Sequence, residues 1–258
     1  SLEPVRIIED GAARLVIEAL FGCGNSYLVM RYKLPKQGAE IEIEARVHWN
    51  EKDRLLKLAL PFVDRQAQML GQVAFGVEAL PTNGDEVVAQ KWLALVPQDS
   101  DGPALTVIND RTYGADARAG ELRLTLLRSP GYAAHPILDR PVLPEDRYSP
   151  RIDQGERLFR FWLEGGPAAE RLAVVDRQAL AHNERPMALS FFPNGGGKLP
   201  GPAVTLGDEI VQVTAIKQAE DGQGLVIRLY EPTGQDRTTT VCLPFAGIEK
   251  EIHLKAFE

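Results

Sequence analysis

Nine residues from Ile41 to Trp49 alternate without a break between apolar and polar side chains. Ile41, Ile43, Ala45, Val47 and Trp49 share one parity, and Glu42, Glu44, Arg46 and His48 share the other. A period of two is the repeat of an extended strand, whose successive Cβ atoms point to opposite faces. The segment therefore reads as a strand with one buried side, and strands of this kind need a second layer to bury against. Similar alternation recurs at Leu15, Ile17 and Ala19, at Leu122, Leu124 and Leu126, and at Leu225, Ile227 and Leu229.

Turn chemistry punctuates these runs. Asn83-Gly84 lies between two apolar segments and favours a tight turn, because both residues tolerate positive φ. Asp221-Gly222-Gln223-Gly224 separates a run ending near Lys217 from one starting at Leu225, which predicts a hairpin. One segment reads as a helix, about residues 168 to 181. Pro167 suits the first helical position, Leu172, Val175 and Ala179 recur at helical spacing, and Asn183 and Pro186 supply a stop. Residues 129 to 155, with five prolines, and 193 to 202, with Asn194-Gly195-Gly196-Gly197, read as loops. The expectation is an all-β chain: a large sandwich over residues 1–165, then the helix and a smaller β unit over 166–258.

Composition narrows the function classes. Apolar residues make up 44% and charged residues 25% of 258, enough for a real core. The net charge of −7 repels nucleic acid and anionic lipid, so neither is an expected partner. Two distant cysteines, Cys23 and Cys242, suggest neither a disulfide framework nor a zinc site and read as buried or half-buried thiols. No stretch approaches the ~20 apolar residues that span a bilayer. The start, Ser1-Leu2-Glu3-Pro4, has neither a basic nor an apolar region and no Met. It reads as a piece of something longer, with Ser1-Leu2 a remnant of cloning, and the expected location is the cytoplasm.

Motifs that carry chemistry are scarce. Gly195-Gly196-Gly197-Lys198 superficially resembles a phosphate loop, but Leu199 stands where Ser or Thr would hold magnesium and no helix follows. His182-Asn183-Glu184 matches half of a zinc deaminase pattern whose cysteine half is absent; a histidine at a helix end explains it. Asp99-Ser100-Asp101-Gly102 brings its glycine too early for a calcium loop. There is no Gly-x-Ser-x-Gly elbow, and His48, His135, His182 and His253 are not spaced as a triad or a metal site. No catalytic residue, metal ligand or cofactor is assigned.

The candidates that remain concern a cleft. Arg128 continues the parity of Leu122, Leu124 and Leu126. Either the strand emerges there and Arg128 meets solvent or a carboxylate, or it is a cationic donor in a polar cleft at the sandwich rim. Just upstream, Asn109, Asp110, Arg111 and Tyr113 cluster in a turn that could hydrogen-bond or stack on a sugar; ordinary turn chemistry explains them as well.

At these residues the chain resembles the C-terminal region of glycoside hydrolase family 38 α-mannosidases. The likeness is carried by Asn109-Asp110-Arg111-Thr112-Tyr113-Gly114 and Gly120-Glu121-Leu122-Arg123-Leu124-Thr125-Leu126-Leu127-Arg128. Val5-Arg6-Ile7-Ile8-Glu9 through Asn25-Ser26, Val47-His48-Trp49-Asn50-Glu51 and Leu55-Leu56-Lys57-Leu58 are similar to earlier landmarks of that region. Phe75-Gly76-Val77, Lys91-Trp92, Asp153-Gln154-Gly155, Ile216-Lys217, Asp221-Gly222 and Arg228-Leu229-Tyr230-Glu231-Pro232 are similar to further ones. No single motif is specific; their order is.

The resemblance implies a large galactose-mutarotase-like sandwich with a smaller β unit. It also implies a retaining exo-mannosidase whose N-terminal barrel holds zinc through His and Asp side chains and carries the aspartate nucleophile, with a helical bundle between. Zinc and nucleophile then belong to a catalytic domain outside this chain, and the barrel, the bundle and, through them, a mannoside are the expected partners. In some relatives the sandwich lends an arginine to the sugar site from a strand end like that at Arg128. Many show two adjacent arginines there, whereas Ser129 follows Arg128 here. Two rival readings stand beside this one. A stand-alone sugar-binding module would need an exposed Trp49, Trp92 or Trp162, although their strand patterns place all three in the core. An aldose epimerase would need an acid and a base, for which His48 among Glu42 and Glu44 is the least poor candidate.

Overall fold

The computed structural model describes residues 2–98, 102–131, 150–184, 186–189 and 201–258. The glycine run 195–197 with Lys198, the Asp99–Asp101 turn, His135 and most of the proline-rich stretch lie outside the described residues. In chain order the first strands are β1 (Arg6–Asp10), β2 (Arg14–Cys23), β3 (Ser26–Pro35), β4 (Ile41–Trp49), β5 (Leu55–Pro61), β6 (Gln68–Val73), β7 (Gly76–Leu80), β8 (Val87–Val88) and β9 (Trp92–Val96). There follow β10 (Pro103–Asn109), β11 (Gly114–Arg118), β12 (Glu121–Arg128), β13 (Gly155–Pro167) and helix α1 (Ala168–Asn183). The C-terminal part holds β14 (Thr205–Leu206), β15 (Gln212–Gln218), β16 (Leu225–Tyr230), β17 (Arg237–Leu243) and β18 (Ile248–Leu254). Among the described residues α1 is the one helix, and it is not long and apolar enough to cross a membrane.

Nine strands form one antiparallel sheet in the order β1-β2-β3-β4-β13-β10-β9-β6-β7, and four form a second, β5-β12-β11-β8. The core lies between them. Ile43, Ala45, Val47 and Trp49 of β4 and Phe159 and Phe161 of β13 meet Leu122, Leu124 and Leu127 of β12, all 9% exposed or less. The expected alternation of β4 and the expected burial of Leu122 and Leu124 are thus realised as an all-β sandwich. Beneath nine strands the second sheet is only four wide. That is why Leu15 and Ile17 near the sheet edge stay half-buried while Val16, of the opposite parity, is the buried neighbour. Cys23, expected buried or half-buried, is exposed at the end of β2, and Cys242 is half-buried.

The polar parity of β4 has its own order. Arg6, Glu18, Arg31, Glu44 and Arg160 stand directly opposite one another across β1, β2, β3, β4 and β13. Arg6 and Arg31 reach Glu18 at 2.7 and 2.9 Å, and Arg31 reaches Glu44 at 3.4 Å. Lys33 bridges Glu42 at 2.8 Å and Glu44 at 2.9 Å. Opposite charges on facing strands favour this register, and like charges would oppose it. The Arg6 and Arg31 guanidiniums hold the Glu18 carboxyl below its ordinary range.

Helix α1 covers the other half of the same face. Pro167 caps the helix from outside rather than opening it, with φ −53° and ψ 133°, and the helix runs two residues past the expected end. Val175 and Ala179 pack on Trp92, Ala94, Ile108 and Trp162. Asn183 closes the C-terminus by donating to the carbonyls of Ala179 and of Asn109, each at 2.9 Å.

The C-terminal unit pairs β15 with β16 across the expected turn, where Gly222 and Gly224 take positive φ, and builds a small sheet β14-β17-β18. Asp176 on α1 joins it to the sandwich. One carboxylate oxygen accepts from Gln72 Nε2 (2.7 Å) and Trp92 Nε1 (3.0 Å), and the other from Gln212 Nε2 (2.8 Å). Phe75 meets Tyr230 edge to face at 5.5 Å on the same seam. Burial there pushes the Tyr230 phenol up to about 12, with Asp176 and Glu231 adding to the rise. Glu231 is fully buried and accepts from the backbone N–H groups of Thr233 (2.8 Å), Gly234 (2.7 Å), Gln235 (3.1 Å) and Phe257 (3.3 Å), and from Arg237 Nε (3.1 Å). Burial alone would raise its carboxyl; these donors outweigh it and hold the group below the ordinary carboxylate range.

Two outcomes follow from these buried acids. Asp176→Ala leaves one indole and two amide donors unmatched and is expected to cost about 2–5 kcal/mol. Hydrogen exchange should show 212–230 losing protection ahead of the sandwich; uniform loss across the chain would contradict the joint. For Glu231 the folded pKa lies below the unfolded one, so its contribution is complete above the unfolded value of about 4.3 and disappears as pH falls through the folded value. Thermal melts of the chain should therefore lose stability below about pH 4, and Glu231→Gln should be less stable at neutral pH with a shallower acid dependence.

Candidate functional site

The rim of the sandwich at the end of β12 is where the sequence places its candidates. Between Thr125 and Leu127 the pairing of β12 with β5 slips by one residue, leaving Leu126 as a bulge. Leu126 and Leu127 are both buried, and the expected parity breaks: Arg128 leaves the core face and is exposed. Its backbone N–H lies 3.4 Å from Asp153 Oδ2. Among the described residues no carboxylate oxygen lies within 4.0 Å of its guanidinium.

Ser129, the next residue, is fully buried. Its hydroxyl accepts from Trp49 Nε1 at 3.0 Å and donates to the Arg54 carbonyl at 3.3 Å. Its backbone N–H donates to the same carbonyl at 2.9 Å, and its own carbonyl accepts from Asp53 N at 2.7 Å. This small side chain ties the large sheet, through Trp49, to the small one. An arginine could not occupy position 129 in this packing. The surrounding loops are fastened in the same way: Arg151 pairs with Asp53 at 2.8 Å and holds that carboxyl below its ordinary range, and Gln154 donates to the Glu51 carbonyl at 2.7 Å.

The turn after β10 divides its residues between roles. Asn109 is buried, and its side chain is spent on the backbone: Nδ2 donates to the Gln90 carbonyl at 2.8 Å, while Oδ1 accepts from Arg111 N and Thr112 N, each at 3.2 Å. Arg111 has φ 151°, a strained value that those two bonds hold in place. Asp110 is half-buried, and Tyr113 is 53% exposed. Tyr113 precedes the start of β11, which pairs antiparallel with β12. Tyr113 and Arg128 therefore lie at one end of the four-stranded sheet, whereas Asn109 ends a strand of the large sheet.

Beside this rim an apolar pocket of about 190 Å³ opens between Phe21, Cys23, Tyr27, Val47, Trp49 and Leu56. On the outer face of the small sheet, Lys57 contacts both Asp116 and Glu86, and Arg123 Nε donates to Asp116 at 2.6 Å. Burial alone would lower the Lys57 ammonium; Asp116 and Glu86 hold it above its ordinary value. Periodicity gave Lys57, Glu86 and Asp116 no prominence. The one local mark is Asp116 between Ala115 and Ala117, which are small enough to bury on either side of it.

The three tryptophans, 3%, 1% and 6% exposed at positions 49, 92 and 162, offer no open ring for stacking on a sugar. His48 stacks on Tyr27 at 4.9 Å, His182 on Trp162 at 4.0 Å, and His253 Nδ1 lies 3.2 Å from Thr238 Oγ1. These imidazoles belong to separate neighbourhoods, and among the described residues no group of three His, Cys, Asp or Glu could hold a metal ion. The described residues do not fit a zinc site.

Comparison with known proteins places this architecture. Residues 1–141 match the family described as glycosyl hydrolases family 38 C-terminal domain, and residues 211–254 match the glycosyl hydrolases family 38 C-terminal beta sandwich domain. Alpha-mannosidase G of Dictyostelium discoideum is 25% identical over 267 residues, taking in 94% of this chain and 22% of that protein. Human alpha-mannosidase 2C1 is 28% identical over 221 residues, 81% of this chain and 19% of that protein. The crystal structure of an alpha-mannosidase from Enterococcus faecalis V583 superposes with a TM-score of 0.77 at 15% identity, covering 99% of this chain and 34% of that one. The chain thus spans about a fifth of the length of these curated relatives and about a third of that structure. With both family regions present in order, the chain belongs to glycoside hydrolase family 38 and comprises C-terminal β domains of that family.

Proposed function

We propose that this chain is a non-catalytic part of a retaining, zinc-dependent α-mannosidase, supporting the catalytic barrel and walling its sugar cleft. The observation that carries the reading is one of extent: the family match takes in both ends of the chain, yet the chain covers only 34% of a solved mannosidase that it matches almost throughout. In this reading the zinc, its His and Asp ligands and the nucleophile belong to the barrel, with the helical bundle as a further partner. The two domains would meet over roughly 600–1,500 Å².

Within that assembly, Arg128 and Tyr113 are the groups that face outward from the rim, and Asn109 and Ser129 position them. An exposed guanidinium without a carboxylate partner among the described residues can donate to sugar hydroxyls without first breaking an ion pair. Asp110 remains a candidate for the same wall.

The isolated chain should release no aryl alcohol from an aryl α-mannoside, with or without added zinc. Zinc-dependent release by the purified chain would end the non-catalytic reading. In the longer protein, Arg128→Ala should lower kcat/KM by about tenfold or more, the worth of a charge-assisted hydrogen bond, with an unchanged melting temperature. Unaltered kinetics would remove Arg128 from the cleft.

A further inference from the structure

Away from the rim, the row of alternating charges on the large sheet ends abruptly at Arg160. The next strand, β10, stops at Asn109 opposite Phe161, so no residue of that strand stands opposite Arg160. The Nε–H of Arg160 is buried and has no hydrogen-bond partner among the described residues. The nearest carboxylate oxygens, of Glu44 at 3.8 Å and Glu42 at 3.9 Å, lie beyond hydrogen-bond reach. The Arg160 side chain makes no hydrogen bond among the described residues, and its exposed guanidinium N–H groups can donate to a ligand oxygen.

Arg160, whose side chain is 27% exposed, lines a cleft of about 420 Å³ between the last turn of α1 and the sheet, together with Lys33, Glu42, Trp162, Ala181 and His182. Its volume falls within the roughly 300–1,000 Å³ of small-molecule sites. One wall is the His182 ring, stacked on the largely buried Trp162, with its Nε2 fixed 2.9 Å from Glu40 Oε1. The Ala181 methyl adds a small apolar surface at the mouth.

Charge decides what class of molecule fits. Lys33 is already neutralised by Glu42 and Glu44, and Glu40 stands behind His182. An incoming anion would meet Glu42 in the lining, with Glu44 and Glu40 paired to Lys33 and His182 nearby, and an incoming cation would meet Lys33 and Arg160. A neutral molecule escapes both penalties. Hydroxyl groups, which both donate and accept, suit a lining that offers Arg and Lys N–H donors beside Glu oxygens. We propose that this cleft is a binding site for a small neutral polyol of monosaccharide size, separate from the sandwich rim. The site goes beyond the mannosidase reading: binding is measured on this chain alone and hydrolysis on the longer protein, so either can fail without the other.

The test is a titration of the isolated chain with D-mannose, followed by NMR at the Trp162 indole and the His182 ring. Trp49 and Trp92, bonded inside the structure to Ser129 and Asp176, serve as internal controls. Saturable shifts are expected at Trp162 and His182 and not at the controls. Ala181→Trp, at an exposed helix position, should abolish them by filling the mouth while leaving the charge row intact. Arg160→Gln should weaken binding by about tenfold or more, the loss of a hydrogen bond to a charged group. D-glucuronate, the same size of ring with a carboxylate, should bind at least about tenfold more weakly, by the same electrostatic argument. Three results would each overturn the proposal: no shift at Trp162 or His182 in the millimolar range, shifts that survive Ala181→Trp, or shifts with glucuronate or inorganic phosphate but not with mannose.

Discussion

Everything in the large sheet depends on the register of β4 between β3 and β13. Its two faces meet opposite demands, one dry and closely packed, the other a run of paired charges. A slip of one residue would drive Glu42 and Glu44 against Phe159 and Phe161 and put Val47 and Trp49 in water. Both halves of that penalty favour the same pairing, so hydrophobic burial and cross-strand electrostatics select one alignment together. The partner sheet then needs to cover only the centre, and its width of four strands is enough to seal the aromatic and aliphatic side chains of β4, β13 and β12.

The rim inherits its rigidity from this arrangement. Trp49 ends β4 and reaches Ser129, so the exit of β12 is fixed by a bond between sheets rather than by loop packing alone. Asn109 does the equivalent at the end of β10, with its side chain holding the turn and its carbonyl held by Asn183 of the helix. Exposed groups such as Arg128 and Tyr113 therefore project from anchored backbone. Burial and exposure divide between near neighbours in the chain: Ser129 is bonded inside while Arg128 is exposed, and Asn109 is bonded inside while Tyr113 is exposed.

Local pattern made part of this legible. The alternation of 41–49, the helix after Pro167 and the hairpin at 221–224 are readable because each is decided by neighbours a few residues apart. The family likeness, read from the order of short stretches, supplied the rest of the architecture. What periodicity missed was set by partners far along the chain. The bulge at Leu126 leaves only a pair of adjacent leucines as a trace, so the true direction of Arg128 was hidden. Asp176 and Glu231 look like ordinary surface acids until Gln72, Trp92, Gln212 and the Phe257 amide come into view. The exposure of Cys23 and the half-burial of Leu15 and Ile17 reflect how far the second sheet extends, which no window of sequence contains.

Among the described residues β1 is an outermost strand of the large sheet, which has a consequence for handling the molecule in concentrated solution. Ile7 and Ile8 are 63% and 43% exposed on an outermost strand, a combination that invites another polypeptide to zip alongside. The extra residue between Ile7 and Glu9 breaks the even spacing of amide and carbonyl groups that such zipping requires. The Arg6 and Arg14 ion pairs to Glu18 and Glu9 add charge beside it. The border is greasy yet out of step with a straight neighbour, a geometry that disfavours the addition of another strand there.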